Sequence, residues 1–349
     1  MEIEMCSCRV AIIGATGAVG SVLLEIIKQR NFPLNELRLC ASKRSWGREI
    51  DFDGRSIAVE KATDQLLSEV DLVFIAAGSD VSHIIAPKAV KHGAFVVDKS
   101  SAFRMNPDVP LVVPEINATD MNKHNGIVST PNCSTTQLVM ALKPLDDINP
   151  IRRVIVDTYQ SVSGTGNAAV KELTTQSRTI LDGGIPKLSE YPHQIAFNTL
   201  PQIETFLDNG YTTEEMKLVY ETRKILNRPN LSISATCVRV PVLISHSEAV
   251  HVEFEEPIQV KKVHQLLANF PGIKIIDQPS ESAYPLPINA AGSDLVYVGR
   301  IRQDVSKPNG IVFWIVSDNL RKGAALNAVQ IAERALEMKL IPKKERNLS

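Results

Sequence analysis

Cys133 stands in the string Pro131-Asn132-Cys133-Ser134-Thr135-Thr136, directly ahead of an apolar-periodic run from Gln137 to Leu145. That order puts it at or just before a helix N-terminus, where unpaired backbone N–H groups favour the thiolate form. A thiolate so placed can attack an electrophilic acyl carbon. The competing reading is an inert core thiol, the ordinary fate of a cysteine, and it applies with more force to Cys40 and Cys237.

A thiol nucleophile needs a proton partner. Among the seven histidines, His246 in RVPVLISHSE has the most suggestive setting, downstream of Arg239. The two are an odd number of residues apart, which on one straight strand sets them on opposite faces, so joint action requires a break near Pro241. Without that break His246 is a satisfied structural histidine and Arg239 a surface cation. Thr212-Thr213-Glu214-Glu215 opens a helix with Thr212 and Glu215 in a capping box. Glu214 and Lys217 then share a face, as a weak surface ion pair or as receivers of charged substrate groups. Arg104 in Ser100-Ser101-Ala102-Phe103-Arg104 follows a strand ending at Asp98, where α/β sheets place ligand loops, and is a candidate phosphate clamp.

A second chemistry lies near the start of the chain. Arg9 to Ile13 reads as a buried strand, Gly14-Ala15-Thr16-Gly17-Ala18-Val19-Gly20 as a turn, and Ser21 to Arg30 as a helix. Gly14, Gly17 and Gly20 let a backbone approach a pyrophosphate at a helix N-terminus. The next strand ends in Ala41-Ser42-Lys43-Arg44-Ser45 in place of the acid that would bond a ribose 2′-hydroxyl. Hydroxyls and cations there suit a 2′-phosphate, hence NADP; a solvated basic loop is the alternative.

These residues need a scaffold. Strand-like runs ending near Ala41, Ala76 and Asp98, with a helix from Val81 to His92 closed by Gly93, give βα alternation and a parallel sheet covered on both faces. Beyond about residue 130 the strand candidates lengthen (Val154 to Val162, Ile233 to Val240, Val250 to Phe254, Leu295 to Ile301, Ile311 to Ser317), predicting an α+β part with a mixed or antiparallel sheet. Ala324 to Met338 is a helix expected to pack back on the first part, and Leu181 to Pro201 is the longest structureless candidate.

A length of 349 residues implies two domains. With 38 basic against 39 acidic residues, no net field favours nucleic acid or anionic lipid, and a small-molecule partner fits better. The N-terminus carries acids where a secretory signal carries bases, and no apolar run reaches the roughly 18 residues of a membrane span, so a cytoplasmic protein is expected. Five irregularly spaced cysteines suit free thiols in a reducing compartment. Cys6 and Cys8 form a C-x-C without a second ligand pair, so no metal site is expected.

The blocks GATGAVG, ASKRSWG, SSAFRM, VVPEIN, PNCSTTQ, YQSVSGTG, EEMKLVYETRKI, RVPVLISHSE and SDNLRKGAALNAVQIAE, in that order from about residue 9 to 338, resemble the bacterial aspartate-semialdehyde dehydrogenases. The resemblance implies a Rossmann-like NADP-binding domain over 1–132, a catalytic and dimerisation domain with a mixed sheet over 133–321, and a helix at about 322–349 returning to the first. It implies NADPH-dependent reduction of L-aspartyl 4-phosphate to L-aspartate 4-semialdehyde and phosphate, towards lysine, threonine, methionine and diaminopimelate, by a cytoplasmic homodimer. Cys133 would be the nucleophile, Gln160 would orient the acyl intermediate, and His246 would be the acid/base. Arg239 would pair with the substrate carboxylate, Glu214 with its ammonium, and Arg104 and Lys217 with the phosphoryl group, with Asn132 also in the substrate site. Gly14, Thr16, Gly17, Ala18 and Val19 would lie at the pyrophosphate, Ser42, Arg44 and Ser45 at the 2′-phosphate, and Gly164 and Asn319 towards the nicotinamide. Trp46 stands where a small residue is expected. The rivals are N-acetyl-γ-glutamyl-phosphate reductase, whose substrate has no ammonium, and a non-catalytic NADP-binding relative.

Overall fold

A computed structural model describes residues 7–342. The Cys6 half of the C-x-C pair, the rest of the N-terminal extension and residues 343–349 lie outside the described residues. The chain divides into two compact units, Met1–Pro131 with Ala324–Ser349, and Asn132–Gly323.

The first unit runs β1 (Cys8–Ile13), α1 (Ala18–Gln29), β2 (Leu34–Cys40), β3 (Glu49–Phe52), β4 (Arg55–Glu60), α2 (Asp64–Glu69), β5 (Leu72–Ile75), α3 (Ser79–Lys91), β6 (Phe95–Asp98), α4 (Pro114–Asn117) and β7 (Ile127–Ser129). The strands form one sheet in the order β3-β4-β2-β1-β5-β6-β7, parallel throughout except for β3 with β4. Val10 and Ile12 on one face pack with Leu23, Ile26 and Ile27 of α1; Ala11 and Ile13 on the other pack with Leu66 and Leu67 of α2 and with Ala86 and Ala89 of α3. Helices on both faces are why β1 reads as a continuous apolar run. The β3–β4 hairpin was not foreseen. Its signal is the dipeptide Asp53-Gly54, both at positive φ (56° and 76°), the pairing a tight hairpin turn requires.

The second unit runs α5 (Cys133–Asp146), β8 (Ile151–Gln160), α6 (Asn167–Leu181), α7 (Thr213–Ile225), β9 (Ser232–Arg239), β10 (His246–Phe254), α8 (Val260–Ala268), β11 (Ile273–Ile275), α9 (Pro287–Ala290), β12 (Val296–Gln303) and β13 (Gly310–Ser317). Its sheet has the order β11-β12-β13-β10-β8-β9. The β8–β9 and β11–β12 pairs are parallel and the rest antiparallel, so the sheet is mixed. Strand β10 begins four residues before the expected Val250, because His246, Ser247 and Glu248 look like a polar loop in sequence but are buried strand residues. Between α6 and α7 the chain makes turns and two isolated bridges, Leu200 with Arg239 and Phe206 with Thr212.

After a π-turn at Arg321–Ala325 the chain continues into α10 (Leu326–Glu337). Leu326, Val329, Ile331, Ala332 and Ala335 join the core around α1 in the first unit. Among the described residues no helix is long and apolar enough to cross a membrane, and no group of three or more His, Cys, Asp or Glu side chains could hold a metal.

Candidate active site

In the first unit the glycine turn is built by contact. Gly14 sits at φ +90°, and a Cβ on it would lie 2.5 Å from the Ala76 carbonyl oxygen; one on Gly20 would lie 2.2 Å from the Gly14 oxygen. Only glycine permits both the left-handed turn and this approach of α1 to it. The Cys40 carbonyl accepts from the Gly14 and Ala15 N–H groups at 2.8 and 3.1 Å, tying the turn to the end of β2. Gly17 caps α1, which begins at Ala18 and Val19. Thr16 and Ser45 hydroxyls lie 3.2 Å apart, so the expected pyrophosphate and 2′-phosphate segments meet. Ser42 caps the short 3-10 turn Lys43–Ser45 that carries Arg44. The Trp46 indole N–H donates to the Ala41 carbonyl at 2.9 Å, folding this loop on itself. The residues that follow β2, Ala41 to Ser45, include no carboxylate, and the backbone cradle and cationic loop fit a dinucleotide bearing a 2′-phosphate. Arg104 belongs to this unit, buried, with its Nη2 donating to the Lys99 carbonyl at 2.8 Å.

In the second unit Cys133 is the first residue of α5. Its cap is Asn132, whose side-chain oxygen accepts from the Ser134 N–H at 2.9 Å and the Thr135 N–H at 3.4 Å. Cys133 is half-buried, while Cys8, Cys40 and Cys237 are buried. Burial, followed by the charge of Glu60, pushes the Cys40 thiol up to about 12, and burial, with Glu214 beside it, raises Cys237 well above the thiol range. Neither is a nucleophile at neutral pH. A Cβ on Gly323 would lie 2.9 Å from Cys133 Cβ, so the chain leaving the unit packs directly against the thiol-bearing residue.

Glu214 is the centre of the buried polar cluster. Its Oε1 accepts from Asn132 Nδ2 at 2.9 Å and Gln160 Nε2 at 3.0 Å, and its Oε2 from Lys217 Nζ at 3.1 Å. Burial pushes this carboxyl up, but the Lys217 charge and the hydrogen bonds from Gln160, Asn132 and Lys217 outweigh it and hold the group at about 2. Glu214 is therefore an anion at any working pH, not a solvated surface charge. Lys217 also pairs with Glu204. Thr212 and Glu215 complete the capping box of α7, and Glu215 additionally accepts from the Cys237 N–H at 2.9 Å. The Asn132 N–H donates to Glu221 at 2.6 Å.

Arg239 ends β9 and His246 opens β10, strands separated in the sheet by β8. This is the break that joint action required. Arg239 Nη1 donates to the Ser161 carbonyl at 2.7 Å, and the Ser161 N–H donates to His246 Nδ1 at 3.0 Å. A Cβ on Gly164 would lie 3.0 Å from Arg239 Nη1 and 3.2 Å from His246 Nε2; the two side chains thus face one spot that only glycine leaves open. Asn319 Oδ1 accepts from the Ser245 N–H at 2.9 Å and from the hydroxyls of Ser161 and Ser163 at 3.2 and 3.1 Å. Ser245, at φ +80°, is a strained turn held by that bond. Glu248, two residues after His246 and on the same face of β10, is fully buried, with neither carboxylate oxygen hydrogen-bonded. Burial, partly offset by Gln137, pushes its carboxyl up to about 8.

Comparison with known proteins bears on both units. Residues 9–124 match the family profile described as the semialdehyde dehydrogenase NAD binding domain, and residues 142–322 the semialdehyde dehydrogenase dimerisation domain. The aspartate-semialdehyde dehydrogenase of Bacillus subtilis is 47% identical over 341 residues, covering 95% of this chain and 99% of the relative. The chain belongs to the aspartate-semialdehyde dehydrogenase family. Solved members of this family include the Vibrio cholerae enzyme II complexed with ASA, with a TM-score of 0.92 at 45% identity over 95% of this chain and 98% of that one. The Candida albicans enzyme with NADP gives 0.75 at 26% identity over 96% and 100%. Ser161, Ser163, Glu204 and Glu221, which contact His246 and Arg239, Asn319, Lys217 and Asn132 respectively, are candidates that sequence reasoning passed over. Ser161 and Ser163 lay inside YQSVSGTG and Glu221 inside EEMKLVYETRKI, but a serine or glutamate there carries no spacing signal of its own.

Proposed function

We propose that the chain catalyses the NADPH-dependent reductive dephosphorylation of L-aspartyl 4-phosphate to L-aspartate 4-semialdehyde through a Cys133 thioester, as a cytoplasmic homodimer in the biosynthesis of lysine, threonine, methionine and diaminopimelate. The observation that carries this reading is Glu214, a buried anion bonded to the Asn132 cap of the nucleophile's helix and to Gln160. A site that holds a carboxylate against burial suits a substrate bearing an ammonium group and disfavours an N-acylated one. Arg239 offers a planar fork to the substrate carboxylate. Lys217 and Arg104 are the cations for the phosphoryl group.

Cys133 attacks the acyl carbon and expels phosphate, leaving a thioester; Gln160 orients it and His246 serves as the acid/base. NADPH, when bound, supplies the hydride that reduces the thioester. Gly14, Thr16, Gly17, Ala18 and Val19 would hold its pyrophosphate, Ser42, Arg44 and Ser45 its 2′-phosphate, and Gly164 and Asn319 its nicotinamide end. The dimerisation-domain match supports a homodimer through the second unit, checked by light scattering.

The deciding assay runs in reverse with L-aspartate 4-semialdehyde, NADP and phosphate. NADPH formation that needs phosphate and this aldehyde is expected. Activity with N-acetylglutamate semialdehyde instead would move the assignment to N-acetyl-γ-glutamyl-phosphate reductase. Measurable NADPH binding with no turnover, and Cys133 alkylation indifferent to phosphate, would leave a non-catalytic relative.

A further inference from the structure

Lys217 is held between two carboxylates that differ in freedom. Glu214 Oε2 accepts from its Nζ at 3.1 Å, and the other oxygen of that carboxylate is taken by Asn132 and Gln160. The Glu214 side chain is 5% exposed, buried and bonded at both oxygens, so it stays in place. Glu204, another partner of the same ammonium, is 45% exposed. It comes from the irregular segment between α6 and α7, and its placement is specific. Its backbone stands at φ +64°, a region that costs a residue with a Cβ. The chain after it folds back on the start of α7 through the Phe206–Thr212 bridge and the Thr213 N–H, which donates to the Thr205 carbonyl at 2.9 Å. The Thr213 hydroxyl donates to Glu204 Oε2 at 2.7 Å. The helix itself does not need this acid: the capping box of α7 is complete with Thr212 and Glu215, and Lys217 already has Glu214 as a fixed anion to offset its partial burial.

We infer that Glu204 is a displaceable counter-ion that competes with inorganic phosphate for Lys217, and so limits how tightly the site keeps the phosphate it releases. The inference rests on the role proposed above for Lys217 at the phosphoryl group. Phosphate bound to that ammonium must leave once the thioester has formed. A lysine with Glu214 alone beside it would hold the departing dianion. With Glu204 at the same ammonium, an incoming phosphoryl group has to displace one carboxylate, and the return of that carboxylate helps to expel free phosphate. The acyl phosphate meets this cost because its carboxylate and ammonium ends bind elsewhere in the site; free phosphate has no other ends to bind. Glu204 thus acts through Lys217, as a positioning residue, and leaves substrate bound while product is held weakly.

The test titrates inorganic phosphate into the full-length chain with NADP present, read by phosphorus NMR, and varies phosphate separately in the reverse assay with L-aspartate 4-semialdehyde. Glu204→Gln keeps an acceptor for the Thr213 hydroxyl and removes the charge. Its Kd and KM for phosphate should fall by about threefold to tenfold, with the KM for NADP within about twofold of the parent. Were Glu204 there only to hold its loop, phosphate affinity would be unchanged or weaker, and either result overturns the inference. Lys217→Met supplies the second reading: phosphate should bind more weakly, and adding Glu204→Gln to it should change nothing further. A gain that persists without Lys217 means direct repulsion of phosphate and overturns the competition. If Lys217→Met binds phosphate as well as the parent, the phosphoryl role of Lys217 fails and the inference with it. Should no aldehyde be turned over, the thioester reading fails by itself, while phosphorus NMR still ranks the variants.

Discussion

In the first unit the candidate ligand contacts come from main chain brought close by the absence of side chains: Gly14 against Ala76, Gly20 against Gly14, and the open start of α1. In the second unit they come from side chains held by other side chains, with Glu214 gripped by Asn132, Gln160 and Lys217, and Asn319 by Ser161, Ser163 and Ser245. A backbone site is general, because any chain with glycine at those positions can make it. A side-chain site is particular to one substrate. The first unit should therefore tolerate the loss of atoms and fail when atoms are added, and the second should do the reverse.

The sharpest test is Cys133→Ala, expected to lower kcat by about 10⁴-fold or more while leaving NADPH affinity within about twofold, read by steady-state kinetics and fluorescence titration; lost cofactor affinity would erase the division of labour. Next, Arg239→Lys keeps the charge but not the fork and should cut kcat/KM by about 100-fold; unchanged kcat/KM removes its carboxylate role. In the first unit Gly20→Ala adds one methyl group where the Gly14 oxygen stands at 2.2 Å. The backbone must shift, at about 1–3 kcal/mol in thermal stability and with weaker NADPH binding. Conversely, Thr16→Ala removes a hydroxyl whose side-chain partner among the described residues is Ser45, with about 1 kcal/mol or less lost in stability; a larger loss would mean the turn depends on side chains after all.

The same contrast explains what was legible in the sequence. The glycine turn, the basic end of β2 and the helix start at Cys133 could be read because each depends on residue type over a few positions. The joint placement of Arg239 and His246 could only be posed as a condition, since it depends on β8 lying between β9 and β10 in the sheet. The burial of Glu214 was out of reach for the same reason: its partners Asn132 and Gln160 are 82 and 54 residues away. Strand β10 was read short because its site residues are polar and the strand signal is apolar alternation, which the HSE segment interrupts.

Glu248 gives the second unit an unusual relation to acid. Its carboxyl, ordinarily at 4.5, is carried up to about 8 by burial, so between those values the folded chain keeps a proton that the unfolded chain has released. Folding is then a proton-uptake reaction in that window, and this group's contribution to stability is fully present below about 4.5 and declines as pH rises to about 8. Glu248→Gln abolishes the uptake. The variant's advantage in thermal stability over the parent should grow from about pH 5 to about pH 8, by about 3–4 kcal/mol, and a constant offset would place the ionised carboxylate in the native state throughout. Rising pH would thus loosen the floor beneath the strand that carries His246.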